Sequence, residues 1–566
     1  MCIRLGYNIN NVNKRIQLFI VGTMLLCVAA TASAQQGASS SSQSRCAGLQ
    51  FMNLEDLSGA PARIVSAQLV KVPAEGLRQP ARVMNQPINP FAVKEYCEVK
   101  GYVAPQNQFE LRLPNPSDWT GKLFFYACPG FCGSLDADAC NAGLTLGYAS
   151  VTSNGGHYSA LGFDGLWAAN DPVAQEEFAY RGNHTVTIAA KEIAKAYYGT
   201  AAKRSYMAGC SKGGQAALKA IQRYPEDYDG VIPVAPVYDY VGRSVTEAAW
   251  VVQANDDGKG GNMLDDATID LVHKSVLAAC DEDDGVKDGI VGDPAKCNWN
   301  PGDLLCKSGT SRENCLSDAQ VSALKKIYAP ATDSAGNKLF PAGYSLGSET
   351  DEWKSWVNNH TLGASGPTLK SRNYQVAQQF LRYLAFEKCP GELDYDPLKF
   401  NLDRDPAKLA RAHSLYDAPS ADLSAFKARG GKVLIWHGWA DGGIPAPASI
   451  DYYLRVLKLV GSRKETESFI RLFLLPGVHH CAGGDGADQL DALSILDEWV
   501  EHGKAPEMIV TTKTVDGKVT RIRPVYSYPK VAIYGGSGDV NDPKNWKVVD
   551  PWSGAKDVPG PSGVYR

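Results

Sequence analysis

The stretch SYMAGCSKGGQAAL, residues 205–218, constrains the fold more than any other part of the chain. It places an apolar run before Ser211, puts Gly209 and Gly213 on either side, and continues with small residues typical of a helix. A G-x-S-x-G pattern between a strand and a helix indicates a sharp turn that exposes a serine hydroxyl. A second copy, around Ser345, has neither a preceding buried strand nor a following helix. We therefore predict that Ser211 is a nucleophile.

Runs of the same strand-then-loop type recur along the chain: GKLFFYACPG, YASVTSNGG, YDGVIPVAP, GKVLIWHGWAD and IRLFLLPGVHHC. Buried strands that alternate with helices indicate the α/β class with a parallel sheet. The pattern is lost between about residues 241 and 424, which are richer in Trp, Asn, Asp, Gly and Cys. We interpret residues 241–424 as an inserted, lid-like domain, and residues 46–240 and 425–566 as the two parts of the core.

The N-terminal residues predict export. A basic pair, Lys14 and Arg15, precedes an apolar run that ends in the small residues of a cleavage site at Ala34. We interpret residues 1–34 as a signal peptide, with a membrane anchor as the alternative, and residues 35–45 as a low-complexity linker. The protein is then secreted or periplasmic. A net charge of -4 argues against nucleic acid or an anionic membrane as a partner.

A serine hydroxyl needs a base, and the base needs an acid that orients it. Asp441 follows the predicted strand in GKVLIWHGWAD, and the pair His479 and His480 follows the predicted strand in IRLFLLPGVHHC. The order Ser, Asp, His along the chain is that of α/β-hydrolases. We choose His480 as the base and His479 as its structural neighbour. The alternative is two ordinary loop histidines.

Two cysteines flank this constellation, since Cys210 precedes Ser211 and Cys481 follows His480. If the serine and the histidine are within hydrogen-bonding reach, their neighbours lie at disulfide distance, and we predict a disulfide there. Of the fourteen cysteines, twelve remain in the exported chain, and oxidising compartments favour pairing. Three further pairs are expected: Cys46–Cys97, Cys280–Cys297 and Cys306–Cys315. Some of four others are expected to pair, without a choice of partners: Cys128, Cys132, Cys140 and Cys389.

The motifs GCSKGG, HGWADGGIP and PGVHHCAGG resemble those of the tannase and feruloyl esterase family, which includes mono(hydroxyethyl) terephthalate hydrolases. The resemblance runs from about Cys46 to Asp539. It implies an α/β-hydrolase fold with an inserted lid and hydrolysis of carboxylic esters of aromatic acids, without an organic cofactor. Lys212 departs from it, because many relatives carry an acidic residue there.

An oxyanion hole needs two backbone donors. One is the N–H of Lys212, which follows the nucleophile. The second is expected from the loop ACPGFCGSL, where we choose Gly130 and where Phe131 and Gly133 remain open.

The acidic stretch CDEDDGVKDGI supplies the oxygen ligands that calcium prefers, although its spacing is not that of an EF-hand. The resemblance implies a structural calcium ion with three side-chain ligands and two carbonyl ligands: Asp281, Asp284 and Asp288, and Val286 and Ile290. The alternative is a solvated acidic turn.

The substrate is expected to be a small aromatic ester. Trp353 and Trp356 share one face of a predicted lid helix, and we expect them to contact an aromatic acyl group, although such a pair is more often lid core. The expected acids are hydroxycinnamic, gallic or related benzoic acids. The alternatives are terephthalate monoesters, a serine peptidase that uses the same triad, and a catalytically dead, calcium-stabilised binding module.

Overall fold

The computed structural model describes residues 41–80, 85–159, 162–307, 312–361, 366–389, 391 and 393–553. The predicted signal peptide, residues 1–34, lies outside these residues, as does the first half of the expected linker. No helix in the described ranges is long and apolar enough to cross a membrane.

A nine-stranded sheet forms the centre of the molecule, in the order β1-β2-β3-β5-β4-β6-β7-β10-β11. Three antiparallel strands at one edge are β1 (Ala62–Lys71), β2 (Glu95–Val103) and β3 (Asn107–Pro114). The remaining six are mutually parallel: β4 (Lys122–Ala127), β5 (Ala149–Ser153), β6 (Arg204–Cys210), β7 (Gly230–Val234), β10 (Lys432–Gly438) and β11 (Ile470–Leu475). The six apolar runs in the sequence are these six parallel strands, as predicted.

Short two-stranded sheets lie outside the central one. They pair β8 (His360–Thr361) with β9 (Thr368–Leu369), β12 (Met508–Val515) with β13 (Lys518–Tyr526), and β14 (Val531–Tyr534) with β15 (Trp546–Val549). The strand pair β12–β13 contacts β11 through β13. The pair β14–β15 contacts the acidic loop, residues 280–290, where Tyr534 donates its N–H to the carbonyl of Asp284 at 2.8 Å.

Helices cover the sheet and build the long connection between β7 and β10. In the core they are α1 (41–48), α2 (Asn141–Leu144), α3 (Pro172–Glu176), α4 (Gly182–Tyr198), α5 (Lys212–Arg223), α13 (Pro447–Val460), α14 (Arg463–Glu467) and α15 (Ala492–His502). In the connection they are α6 (Ala248–Ala254), α7 (Asp266–Cys280), α8 (Asp318–Tyr328), α9 (Trp353–Trp356), α10 (Arg372–Gln379), α11 (Ala410–Tyr416) and α12 (Ser424–Ala428).

The connection between β7 and β10 contains the predicted insertion and has apolar clusters of its own. One cluster joins α6, α7 and α8 around Val251, Val276 and Leu324. Another joins the start of the connection to the loops above the sheet and contains Phe131, Phe380 and Tyr416. The exact bounds, residues 241–424, stay a prediction.

The N-terminal linker is shorter than expected. Residues 41–48 are helical, so the last five residues of the expected linker belong to the fold. Leu49 is buried in the core and Cys46 is tied to Cys97, with Cα atoms 5.6 Å apart. Tertiary contacts of this kind stabilise a short helix that a serine-rich composition does not predict.

Candidate active site

Ser211 lies on a strained turn between β6 and α5. Its φ is 61° and its ψ is -114°, a backbone conformation that residues with a side chain rarely adopt. A Cβ at Gly209 would lie 2.6 Å from the backbone of Gly213, and one at Gly213 would lie 2.4 Å from the carbonyl oxygen of Ala127. Only glycine fits at both positions. In contrast, Ser345 of the second G-x-S-x-G pattern lies buried outside any helix or strand.

Asp441 and His480 lie beyond the carboxyl ends of β10 and β11, at the same edge of the sheet as Ser211. The Nδ1 of His480 is 2.7 Å from Oδ2 of Asp441. The other carboxylate oxygen of Asp441 accepts the N–H groups of Gly443 and Ile444, each at 2.7 Å. An ionised carboxylate only accepts hydrogen bonds, so Nδ1 of His480 carries its proton and Nε2 is left to act as a base.

Asp441 and His480 shift each other's pKa toward the charged form. Burial raises the pKa of Asp441, but His480 and His437 outweigh it and hold the pKa well below its usual range. Burial lowers the pKa of His480, yet the charge and hydrogen bond of Asp441 and the nearby Glu352 raise it above its ordinary value. Asp441 therefore stabilises the imidazolium that forms when His480 takes a proton.

The disulfide Cys210–Cys481 links the loop of the serine to the loop of the histidine. The Cα atoms are 6.0 Å apart. A ring nitrogen of His480 lies within 4.8 Å of both sulfur atoms. This places the base beside the residue that precedes Ser211, as the flanking cysteines predicted. His479 donates its N–H to the carbonyl of Gly483 at 3.3 Å, and its side chain packs against Gly484.

The three other expected disulfides are present. Cys46 pairs with Cys97, Cys280 with Cys297, and Cys306 with Cys315. Among the four cysteines left open, Cys128 pairs with Cys132, with Cα atoms 5.4 Å apart. Cys140 is buried and Cys389 is partly exposed, and both are free thiols. The even number of cysteines therefore does not mean that all of them pair.

Backbone hydrogen bonds narrow the choice of oxyanion donors. The N–H of Phe131 is bonded to the carbonyl of Gly162 at 3.0 Å, and that of Gly133 to the carbonyl of Asn154 at 2.9 Å. Gly130, with φ at 63°, is the chosen donor, and its N–H makes no hydrogen bond to another residue in the described ranges. Lys212 begins α5, where the first N–H groups have no partner within the helix.

The side chain of Lys212 enters an aromatic cluster. It is 2% exposed, and its Nζ lies 4.5 Å from the ring centre of Phe178 and 6.0 Å from that of Tyr240. Burial, together with the charge of Lys219, lowers the pKa of Lys212 to about 7. When Lys212 is protonated, cation–π contacts with these two rings stabilise its charge.

His437 is a further part of the site that the sequence analysis missed. It is fully buried, and its Nε2 lies 3.0 Å from Oδ2 of Asp441 and 3.1 Å from the carbonyl of Ile444. Its Nδ1 lies 2.8 Å from the hydroxyl of Ser449. Both neighbours of Nε2 accept hydrogen bonds, so Nε2 donates to them. The signal was the fragment WHGWAD, which places a histidine four residues before the acid.

The two lid tryptophans have different environments. Trp356 contacts His480 edge to face, with ring centres 6.0 Å apart. Trp353 is fully buried and packs against Tyr328 and Tyr344. Trp353 therefore belongs to the apolar core of the insertion, and its expected contact with the substrate stays a prediction.

Hydrogen bonds and ion pairs hold the acidic loop together. Oδ1 of Asp281 accepts the N–H groups of Asp288, Gly289 and Ile290 at 2.9–3.2 Å. Asp288 pairs through Oδ2 with Arg521 and with Arg523, while its Oδ1 is buried without a hydrogen-bond partner in the described residues. A cavity of about 280 Å³ lies between this loop and the C-terminal strands, and no triad residue lines it.

The parallel sheet, the turn at Ser211 and the Asp441–His480 pair together define an α/β-hydrolase with a candidate serine triad. The family model for tannase and feruloyl esterase matches residues 91–549. The chain belongs to the tannase and feruloyl esterase family and is a carboxylic ester hydrolase.

Individual relatives agree with this assignment. The chain is 31% identical to a mono(2-hydroxyethyl) terephthalate hydrolase of Piscinibacter sakaiensis, over 81% of this chain and 86% of the relative. It is 30% identical to a probable feruloyl esterase B of Aspergillus clavatus, over 78% of this chain and 84% of the relative. The crystal structure of feruloyl esterase B from Aspergillus oryzae is similar with a TM-score of 0.76 and 26% identity, covering 90% of this chain and all of that one.

Proposed function

We propose that this protein is an exported serine esterase that cleaves esters of aromatic acids, hydroxycinnamic, gallic or related benzoic acids. Ser211 attacks the ester carbonyl while Nε2 of His480 takes its proton. The N–H groups of Lys212 and Gly130 stabilise the negative charge on the carbonyl oxygen. His480 then protonates the leaving alcohol, and water hydrolyses the acyl enzyme by the same steps in reverse.

The observation that carries the aromatic specificity is a chain of aromatic rings from the base to the oxyanion loop. The ring of Trp356 is 6.0 Å from His480 and also 6.0 Å from Phe163. Phe163 in turn lies 5.8 Å from Phe131, edge to face. Flat apolar faces beside the reacting groups favour a planar acyl group, and contacts made in the transition state raise kcat/KM.

The test compares kcat/KM for methyl ferulate, methyl gallate, a terephthalate monoester and methyl butyrate, with an aryl amide as the peptidase control. Aryl esters should be preferred, and Trp356→Ala should lower kcat/KM for them more than for the butyrate. Equal or faster turnover of methyl butyrate would contradict the proposal. The terephthalate monoester is included because a relative carries that activity in its name.

A structural calcium ion in the acidic loop is the second part of the proposal. Its support is the buried, unpartnered Oδ1 of Asp288 and the pKa of Asp284, which is raised to about 6 by burial and by the neighbouring carboxylates. Asp281, Asp284 and Asp288, with the carbonyls of Val286 and Ile290, would hold the ion. It would neutralise the loop and stabilise it, and no residue of the triad belongs to the loop.

A further inference from the structure

Glu352, a residue of the insertion, contacts both loops that carry the acid and the base. It directly precedes α9, and its Oε2 accepts the N–H of Gly442 at 2.9 Å. The same oxygen accepts the N–H of His480 at 2.9 Å. One carboxylate oxygen therefore joins the residue after Asp441 to the base itself.

The packing around this contact is close. A Cβ at Gly442 would lie 2.7 Å from the Cβ of Glu352, so the approach requires glycine. Next along the loop, the carbonyl of Gly443 accepts a hydrogen bond at 2.8 Å from Nε of Arg243, whose side chain is buried near the start of the insertion. Two residues of the connection between β7 and β10 thus hold the loop of Asp441 from above.

We propose that Glu352 is a positioning residue of the ester hydrolase site, whose carboxylate clamps the loop of Asp441 to the loop of His480. The proposal rests on the triad assigned above. Its consequence is that the insertion takes part in catalysis beyond covering the site, because the geometry of the triad depends on a side chain that only the insertion supplies.

The charge of Glu352 gives the clamp a measurable signature. The charged groups that face His480 are Asp441 after β10, Glu352 before α9, and Arg243 after β7. The two carboxylates favour the imidazolium and Arg243 opposes it. Glu352 makes no ion pair with a Lys or Arg side chain in the described part of the chain, and its carboxylate oxygen faces the backbone N–H groups of Gly442 and His480. Removing that charge should lower the pKa of His480.

The experiment measures kcat and KM of the full-length protein for an aryl methyl ester between pH 5 and 9. Glu352→Gln keeps the shape and an acceptor oxygen but removes the charge. Its kcat should fall about tenfold, the size expected for weakening a hydrogen bond to a charged group, with KM changed little. The acid limb of the kcat/KM profile should move to lower pH, because more His480 is neutral there.

Glu352→Ala should lose about a hundredfold in kcat, and Glu352→Asp should recover the charge but not the full rate. Asp351→Asn is the matched control, since Asp351 is the adjacent, exposed carboxylate that pairs with Lys354. An unchanged acid limb and kcat in Glu352→Gln would overturn the proposal. If wild type and Asp351→Asn also hydrolyse no ester, the failure lies in the proposed function and not in the clamp.

Discussion

Cys210 and Cys481 are disulfide-bonded with their Cα atoms 6.0 Å apart, and they are the residue before the candidate nucleophile and the residue after the candidate base. The bond closes a loop with a sequence separation of 271 residues, and it does so within the site. Its position predicts that it matters for both stability and catalysis.

Replacing both cysteines by serine should lower the free energy of unfolding by up to about 5 kcal/mol and lower kcat/KM. The control is the double replacement of Cys306 and Cys315, which are 9 residues apart in the insertion. Because this disulfide closes a much shorter loop, its loss should lower the free energy of unfolding by roughly half as much and leave kcat/KM unchanged. Unchanged kcat/KM in the folded Cys210/Cys481 variant would mean that the bond only stabilises.

The two adjacent histidines should differ sharply. His480→Ala should lower kcat/KM at least about a thousandfold, because it removes the base that Asp441 orients, and Ser211→Ala should do the same. His479→Ala should have a much milder effect, since its side chain packs against Gly484. Steady-state kinetics on folded variants decide this. An inactive His479→Ala beside an active His480→Ala would reverse the assignment of the base.

Chelation should reveal the calcium ion. Prolonged EDTA treatment should lower the Tm of the wild type, because an ion bound only by the folded state stabilises it. Asp284→Ala should abolish this sensitivity, whereas Asp283→Ala, at an exposed neighbouring position, should keep it. Thermal melts with EDTA and with added calcium provide the measurement. A wild type that melts equally in both would contradict a calcium site.

Lys212 should make stability depend on pH. Its pKa is lowered to about 7 in the folded protein, while in the unfolded chain it is about 10.4. Below pH 7 the lysine is protonated in both states, and the folded state bears the whole cost of burying the charge. This cost falls as the pH rises from about 7 and disappears near pH 10.4, because over this range the unfolded chain binds more protons.

Lys212→Met should therefore raise Tm more at pH 6 than at pH 9. The backbone N–H of residue 212 is retained, so the oxyanion hole keeps its donor. The exposed Lys203→Met is the control and should change Tm little at either pH. An equal change in Tm at both pH values for Lys212→Met would refute the depressed pKa.

Features that depend on local sequence were predictable. The parallel strands follow from uninterrupted apolar runs, and the turn at Ser211 follows from the glycines at positions 209 and 213, which allow a close approach of backbone. Cys210 and Cys481 are adjacent to triad candidates, so one geometric assumption was enough to pair them. In each case the neighbouring residues carry the information.

Contacts between distant segments were decided only by the tertiary structure. The antiparallel pairing of β1–β3 was not predicted, although β1 has a partly alternating burial pattern. The environments of Trp353 and Trp356 depended on which face the rest of the insertion covers. Likewise, the carbonyls of Gly162 and Asn154 take up the N–H groups of Phe131 and Gly133.

Glu352 shows the difference most clearly. Nothing in its sequence neighbourhood marks it, because it lies 89 residues before Asp441 and 128 before His480 in the chain. The order of the triad candidates along the chain, Ser, Asp and His, and the turn that exposes the serine were already readable from the amino-acid sequence. The folded chain decided which side chains surround them, since hydrogen bonds between distant residues follow from packing and not from local conformational preference.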